Sequence, residues 1–301
     1  MKIQKLDPWI EGYLSYLGDV RRLTRRSLAD VRCTLKKVIT ATEKMLGDIP
    51  LWKLTYQDYL RWINVEREQG STPATLAKNI SHIRGLLDYA WRSGRCDRNV
   101  LDGLNLHDSI QSVAPRVLSL DEARRLLEVC GCKNKIERRD RMMILLFYGC
   151  GLRTNELRTL ELSDIDRERQ EVFVRCGKGD RQRRIPVSNA IWTELLAYLT
   201  ERSGKRGPLF RTEMKKTKLP TQDISDVVKK AAQKAGLRGE ITPKTLRHTF
   251  ATHLMDQGVD LSVISSLMGH RSPKETGVYL HVLPGKPQKA VTKLITIGEE
   301  K

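Results

Sequence analysis

The sequence lacks any apolar run near the ~20 residues that a bilayer-spanning helix needs. It also shows no secretory signal and no terminal anchor motif. A membrane role is therefore not expected, and the expected location is the cytoplasm. Cysteine is sparse, at six residues: Cys33, Cys96, Cys130, Cys132, Cys150 and Cys176. Cys130-Gly131-Cys132 is too closely spaced for half of a usual zinc pair, and no matching pair follows. The cysteines therefore read as reduced thiols rather than a disulfide or metal framework. Cys33 and Cys150 fall in apolar patterns and are expected in the core. There is no internal repeat and no low-complexity segment, which excludes solenoids and linker-like disorder. Acidic residues are the clearest deficit, 36 against 54 lysines and arginines.

That deficit leaves a formal net charge of +18 and a sequence pI of about 9.8, an imbalance suited to a nucleic-acid partner. Residues 1–107 and 108–301 are each net positive, as expected of a chain that wraps a duplex from two sides. With 301 residues, 40% hydrophobic and 30% charged, the chain has room for two domains with their own cores.

The first hundred residues read as four helices. Trp9, Tyr13, Tyr16 and Leu17 share one face at helical spacing. Thr24 or Ser27 caps a long helix through Leu28, Val31, Leu35, Val38 and Met45, and Thr55 caps a third helix. Ser71 or Thr72 caps a fourth, with Pro73 in its first turn. Residues 94–116 are punctuated by Gly94, Gly103 and Pro115 and read as connecting chain. The expected division is a helical domain over 1–106, a linker over 107–116 and a second domain over 117–301. The second opens on a capping box, Ser119 with Glu122. It continues with a buried helix over 140–148 and a hairpin of 171–175 with 183–187 around Gly177-Lys178-Gly179-Asp180. Helices over 190–199, 224–235, 245–257 and 261–268 follow, with a short amphipathic tail over 290–297. The expected fold class is mainly α with a small β-sheet.

Several residues carry chemistry suited to a phosphodiester. Non-bridging oxygens gain charge in the transition state, and arginine meets two of them with a planar fork that keeps its charge. Arg153 and Arg247 are the candidates, with Glu156 at i+3 placed to orient the first. Alone, either arginine reads as a helix-surface residue in a local ion pair. Lys178, between two glycines, suits a proton donor to a leaving oxygen; alone it is a soluble turn. His270 follows Leu267-Met268-Gly269, where it suits a phosphate contact or the simpler place of a cation at a helix end. Tyr279 suits a nucleophile, although Val-Tyr-Leu alone reads as packing.

Taken in order, these segments resemble the tyrosine recombinase/integrase family, in its compact Xer form. The ordered set is Gly151-Leu152-Arg153-Thr154-Asn155-Glu156-Leu157, Gly177-Lys178-Gly179, Lys244-Thr245-Leu246-Arg247-His248, Leu267-Met268-Gly269-His270 and Tyr279. The step from His270 to Tyr279 and the run Thr249-Phe250-Ala251-Thr252-His253-Leu254 also fit. The resemblance spans essentially the whole chain. It implies an N-terminal four-helix core-binding (SAM-like) domain and a mixed α/β catalytic domain whose tail docks on a neighbouring protomer. It implies that Arg153 and Arg247 clamp the scissile phosphate, Lys178 protonates the leaving 5′-oxygen, His270 supports the phosphate or the tyrosine proton, and Tyr279 forms a 3′-phosphotyrosine. Lys244 stands where the family usually has histidine; a charged lysine can still donate to a phosphate oxygen but is a poor base. His248, one step round the helix from Arg247, need not face the same phosphate.

The partners so implied are double-stranded DNA carrying inverted-repeat recombination sites, and three further protomers. These form a homotetramer, or a heterotetramer with a paralogous recombinase, that passes through a Holliday junction. No metal, nucleotide or other cofactor is implied. Lys78, His82 and Arg84, with Lys229 and Lys230, are the base- or backbone-contact candidates, because polar and basic side chains share a helix face there. Two alternatives remain at this stage. One is a type IB topoisomerase-like relaxing enzyme with the same chemistry and no partner site. The other is an inactive DNA-binding or architectural protein.

Overall fold

The computed structural model describes residues 7–104, 115–175, 182–202, 204 and 206–269. Chain contacts divide it into two compact units, Met1–Ser112 and Val113–Lys301.

In the first unit, the four expected helices form. Asp7 and Pro8 start α1 (Pro8–Asp19), and Thr24 rather than Ser27 caps α2 (Arg25–Leu46). Thr55 and Asp58 form a reciprocal capping box on α3 (Tyr56–Glu68). Thr72 caps α4 (Pro73–Arg92), with Pro73 at its first position. Leu35, Val38, Tyr59, Trp62, Ile83, Leu86 and Leu87 make the core between them. The buried Tyr59 hydroxyl donates to Leu51 O at 2.7 Å, fixing the 3-10 turn Leu51–Lys53.

Two expectations fail in this unit. Cys33 is exposed, because the buried stripe of α2 runs through Val31, Thr34, Leu35 and Val38, and Cys33 falls between its turns. The early part of the presumed connecting chain is packed. Leu101 is fully buried, Val100 and Leu104 lie against the core, and Asn99 Nδ2 donates to Arg84 O and Asp88 Oδ1. Burying Leu101 contributes roughly 1.5–3 kcal/mol, enough to hold a segment that has no helical period of its own.

The second unit is built round α6 (Lys135–Cys150), in which Met142 through Phe147 are all buried. Such a helix is covered on all sides, and α6 packs against α8 (Asn189–Glu201) and α10 (Pro243–Asp256). Arg141 ties it to α8 through a two-fold bond to Glu194, both contacts 2.6 Å. The short α5 (Leu120–Glu128) opens the unit on the Ser119–Glu122 capping box. A small α7 (Thr154–Thr159) follows α6. Next comes an antiparallel sheet in the order β1-β2-β3. It pairs β1 (Ile165–Asp166) with β2 (Glu171–Val174), and β2 with β3 (Arg183–Pro186). The hairpin was legible; β1, two residues long, was not. α9 (Thr221–Lys234) and α11 (Leu261–Met268) complete the described helices. The fold is therefore the expected one, mainly helical with a small sheet. Among the described residues, no helix is long and apolar enough to cross a membrane.

Candidate functional site

The site grows from the end of α6. Gly151 terminates that helix with φ +59°, and a Cβ there would lie 2.4 Å from the Phe250 ring. Glycine is required twice over, by the left-handed backbone and by the close approach of α10. Gly151→Ala is expected to destabilise the protein by on the order of 2–4 kcal/mol, read as a lower urea midpoint at unchanged slope. The turn delivers Arg153 as the residue before α7, with its side chain one-third exposed.

Three guanidiniums gather on one carboxylate. Glu156 is buried, its side chain 6% exposed. Its Oε2 accepts the Arg153 backbone N–H at 2.8 Å, and its Oε1 accepts Arg153 Nη1 at 2.9 Å. Arg183 approaches fork-on, Nη1 to Oε1 at 3.0 Å and Nη2 to Oε2 at 2.8 Å. Arg247 Nη1 lies 3.7 Å from Oε2. Burial pushes the Glu156 carboxyl up. The hydrogen bonds and charge of Arg183, then the Arg153 N–H and the Arg247 charge, outweigh it and hold the group below the ordinary carboxylate range. Its pairing therefore stabilises the fold at neutral pH, and that contribution is lost as pH falls through the lowered value.

Arg247 is almost wholly buried on α10. Nη1 donates to Gly151 O at 2.6 Å and Nη2 to Met268 O at 2.7 Å, so one side chain joins the ends of α6 and α11. Gly269 closes α11 at φ +64°. A Cβ there would come within 2.7 Å of Arg183 Nη1, so the glycine preceding His270 leaves the space that Arg183 fills. Thr249 and His253, on the same helix, fix the chain where it enters the unit. Thr249 Oγ1 accepts the Leu118 N–H at 3.0 Å. His253 Nε2 lies 2.9 Å from Leu118 O and Nδ1 3.0 Å from the Tyr148 hydroxyl. With Nε2–H donating to Leu118 O, Nδ1 is left to accept from the Tyr148 hydroxyl.

The structure thus brings Arg153, Glu156 and Arg247 together, and adds Arg183, which the sequence reading assigned only to a strand. A signal was present: alternation on β3 puts Arg183 on the same face as the buried Ile185. Lys244, one turn before Arg247, is exposed. His248 is half-buried, and burial, aided by Lys244 and Arg247, pushes its imidazole down to about 4, so it is neutral at pH 7. Lys178, His270 and Tyr279 lie outside the described residues. Val174 and Arg183, cross-strand partners, flank in sequence the segment that holds Lys178.

The remaining candidates lie elsewhere. In the first unit Lys78 pairs with Asp30 at 3.1 Å, and the half-buried His82 has Nδ1 3.0 Å from Thr34 Oγ1. Arg84 donates to Leu104 O. Lys229 and Lys230 are exposed on α9. Among the described residues, no group of three His, Cys, Asp or Glu side chains is placed to hold a metal.

Comparison with known proteins bears on what such a site does. Residues 116–286 match the model of the phage integrase family, and residues 10–94 that of the phage integrase N-terminal SAM-like domain. A tyrosine recombinase of Pseudothermotoga lettingae is 30% identical over 295 residues, 96% of this chain and 99% of that protein. Tyrosine recombinase XerC of Pseudomonas aeruginosa is 32% identical, covering 91% of this chain and 89% of the relative. Tyrosine recombinase XerA of Pyrococcus furiosus is 37% identical over 79% of this chain and 80% of its own length. In fold, the chain is similar to the XerH site-specific recombinase bound to its palindromic difH substrate in a post-cleavage complex. That match has a TM-score of 0.74 and 20% identity over 94% of each chain. It is also similar to the Tn1549 transposon integrase in complex with transposon right end DNA, with a TM-score of 0.76 and 17% identity over 94% of this chain and 98% of that one.

Proposed function

This chain belongs to the phage integrase family and is a tyrosine recombinase, and on that premise we propose that it cuts and rejoins duplex DNA at specific sites through Tyr279. The phenol oxygen of Tyr279 forms a bond to the scissile phosphorus as the bond from phosphorus to the 5′-oxygen breaks. The phenol proton passes to solvent, directly or by way of His270, and the 5′-oxygen takes a proton from Lys178, giving a free 5′-hydroxyl and a 3′-phosphotyrosine. Arg153 and Arg247 hold the non-bridging oxygens, where charge accumulates. His270 supports the phosphate or the tyrosine proton. Lys244 donates to a phosphate oxygen while charged and is a poor base. Attack of a second strand's 5′-hydroxyl reverses the chemistry, so bond energy is conserved and no cofactor is consumed. Two such exchanges pass through a Holliday junction.

The observation that supports this reading most directly is the gathering of Arg153, Arg183 and Arg247 on one buried carboxylate. Guanidiniums that converge from three elements are suited to hold an anion that gains charge as it reacts. The division into a core-binding part over 1–106, a linker over 107–116 and a catalytic part over 117–301 belongs to the same reading. So do double-stranded DNA with inverted-repeat sites as partner, Lys78, His82, Arg84, Lys229 and Lys230 as contacts to it, and a tetramer of like or paralogous protomers on the nucleoid. The test is to recover, under denaturing conditions, DNA held covalently on the chain in its own cell, and to sequence it. One or a few sites with dyad symmetry, yielding recombinant junctions in vitro, are expected. Scattered adducts accompanied by supercoil relaxation would establish a relaxing enzyme instead.

A further inference from the structure

Arg183 has no place in the chemistry just described, yet it makes the closest pairing in the site. It meets both oxygens of Glu156, at 3.0 and 2.8 Å, and each partner's side chain is only 6% exposed. Arg153 meets one oxygen by its side chain, and Arg247 stands off at 3.7 Å. Arg183 is also fixed from behind. It projects from β3, paired across the sheet with Val174, and its Nε donates to Leu267 O at 2.6 Å. Gly269 leaves the space that the guanidinium occupies. Its pairing with Glu156 is thus bidentate and held both on a strand and at a helix end.

The charges of the cluster show what this pairing does. Among the described residues, Glu156 is the carboxylate on which the three guanidiniums converge. With Arg183 as its closest counter-ion, Glu156 draws less on Arg153 and Arg247. A phosphodiester gains charge in its pentavalent transition state and is held best by guanidiniums that a neighbouring carboxylate does not draw away. Without Arg183, the carboxylate would draw on Arg153 and Arg247 and reduce the potential where the phosphate sits, an effect made larger by burial.

We propose that Arg183 is a positioning residue for strand cleavage: as the counter-ion of Glu156, it keeps the charges of Arg153 and Arg247 directed at the scissile phosphate. This rests on the recombinase reading above and adds to it a residue that touches neither DNA nor the reacting atoms.

The experiment compares single-turnover formation of the covalent adduct on a nicked duplex cut from the DNA trapped on the wild-type chain. Arg183→Met is expected to slow the adduct about a hundredfold at saturating duplex, while affinity stays within about threefold, because affinity is spread over many phosphates. Arg183→Met combined with Glu156→Gln also removes the uncompensated carboxylate charge, so it should be at least about tenfold faster than Arg183→Met alone. A staple that served only to hold α11 would show no such rescue. A double variant no faster than the single one, or an Arg183→Met variant as fast as wild type, overturns the proposal. If thermal melting shows that either Met variant does not fold, Arg183→Lys decides. It keeps the charge but loses the fork, so it should remain within about tenfold of wild type, and a hundredfold loss overturns the proposal. If the wild-type chain itself traps no DNA, the recombinase reading falls first; a wild-type adduct with the wrong variant pattern removes only the role of Arg183.

Discussion

Tyr279→Phe is expected to abolish the covalent protein–DNA adduct and to leave duplex affinity within about twofold of wild type. The substitution removes one oxygen. If that oxygen is the nucleophile, no 3′-phosphotyrosine can form, and adduct formation should fall by roughly four orders of magnitude or more. Binding draws on many lysines and arginines spread over a chain of net charge +18, so the salt dependence of affinity should be unchanged. The other tyrosines of the second unit are already committed. The Tyr148 hydroxyl is hydrogen-bonded to His253, and burial raises its phenol above the ordinary value. The Tyr198 hydroxyl donates to Leu209 O at 3.1 Å and is pushed up to about 12, chiefly by burial. Neither is placed to take over. Denaturing gels of radiolabelled duplex, run beside gel shifts of the same samples, check both halves of the expectation. An adduct that survives the substitution would remove Tyr279 from the mechanism.

Much of the architecture was legible because its signals are local. Thr55, Thr72 and Ser119 are caps whose partners lie within three residues: Thr55 and the Ser119–Glu122 box form as read, and Thr72 is the one of the two candidates, Ser71 and Thr72, that caps. Gly151 and Gly269 end helices by a backbone conformation that only the nearest residues determine. What the sequence hid depends on distant partners. β1 is two residues long and exists because β2 lies beside it. Leu101 is buried by a core that its own neighbours do not announce. The helix α10 is rich in polar residues, yet Thr245, Arg247, Thr249 and Thr252 are buried on it. The reason is visible in part only once the fold is closed: Arg247 reaches carbonyls at 151 and 268, and Thr249 reaches the amide of Leu118. The site followed the same rule. Arg153 and Glu156 could be paired from their spacing, whereas Arg183 joins them from a strand 27 residues from Glu156.

The two arginines read as equivalent from the sequence should part company when replaced. Arg153→Met and Arg247→Met are each expected to slow adduct formation by about two to three orders of magnitude, since each removes a donor from the oxygens that gain charge. Their costs in stability differ. The Arg153 side chain is one-third exposed and holds one oxygen of Glu156, which keeps Arg183 after the change, so its loss should cost on the order of 1 kcal/mol or less. Arg247 is buried and donates to Gly151 O and Met268 O. Its removal strands two buried carbonyls and weakens the charge balance on Glu156, which should cost on the order of 3–5 kcal/mol. Arg247→Lys should recover little, because an ammonium cannot span two carbonyls that a planar fork joins. Urea unfolding of the three variants beside their single-turnover rates checks this. Equal stability losses for Arg153→Met and Arg247→Met would contradict it. Arg247 thus serves both chemistry and fold: the contacts that aim it at the phosphate also lock the ends of α6 and α11, so at this position activity and stability fall together.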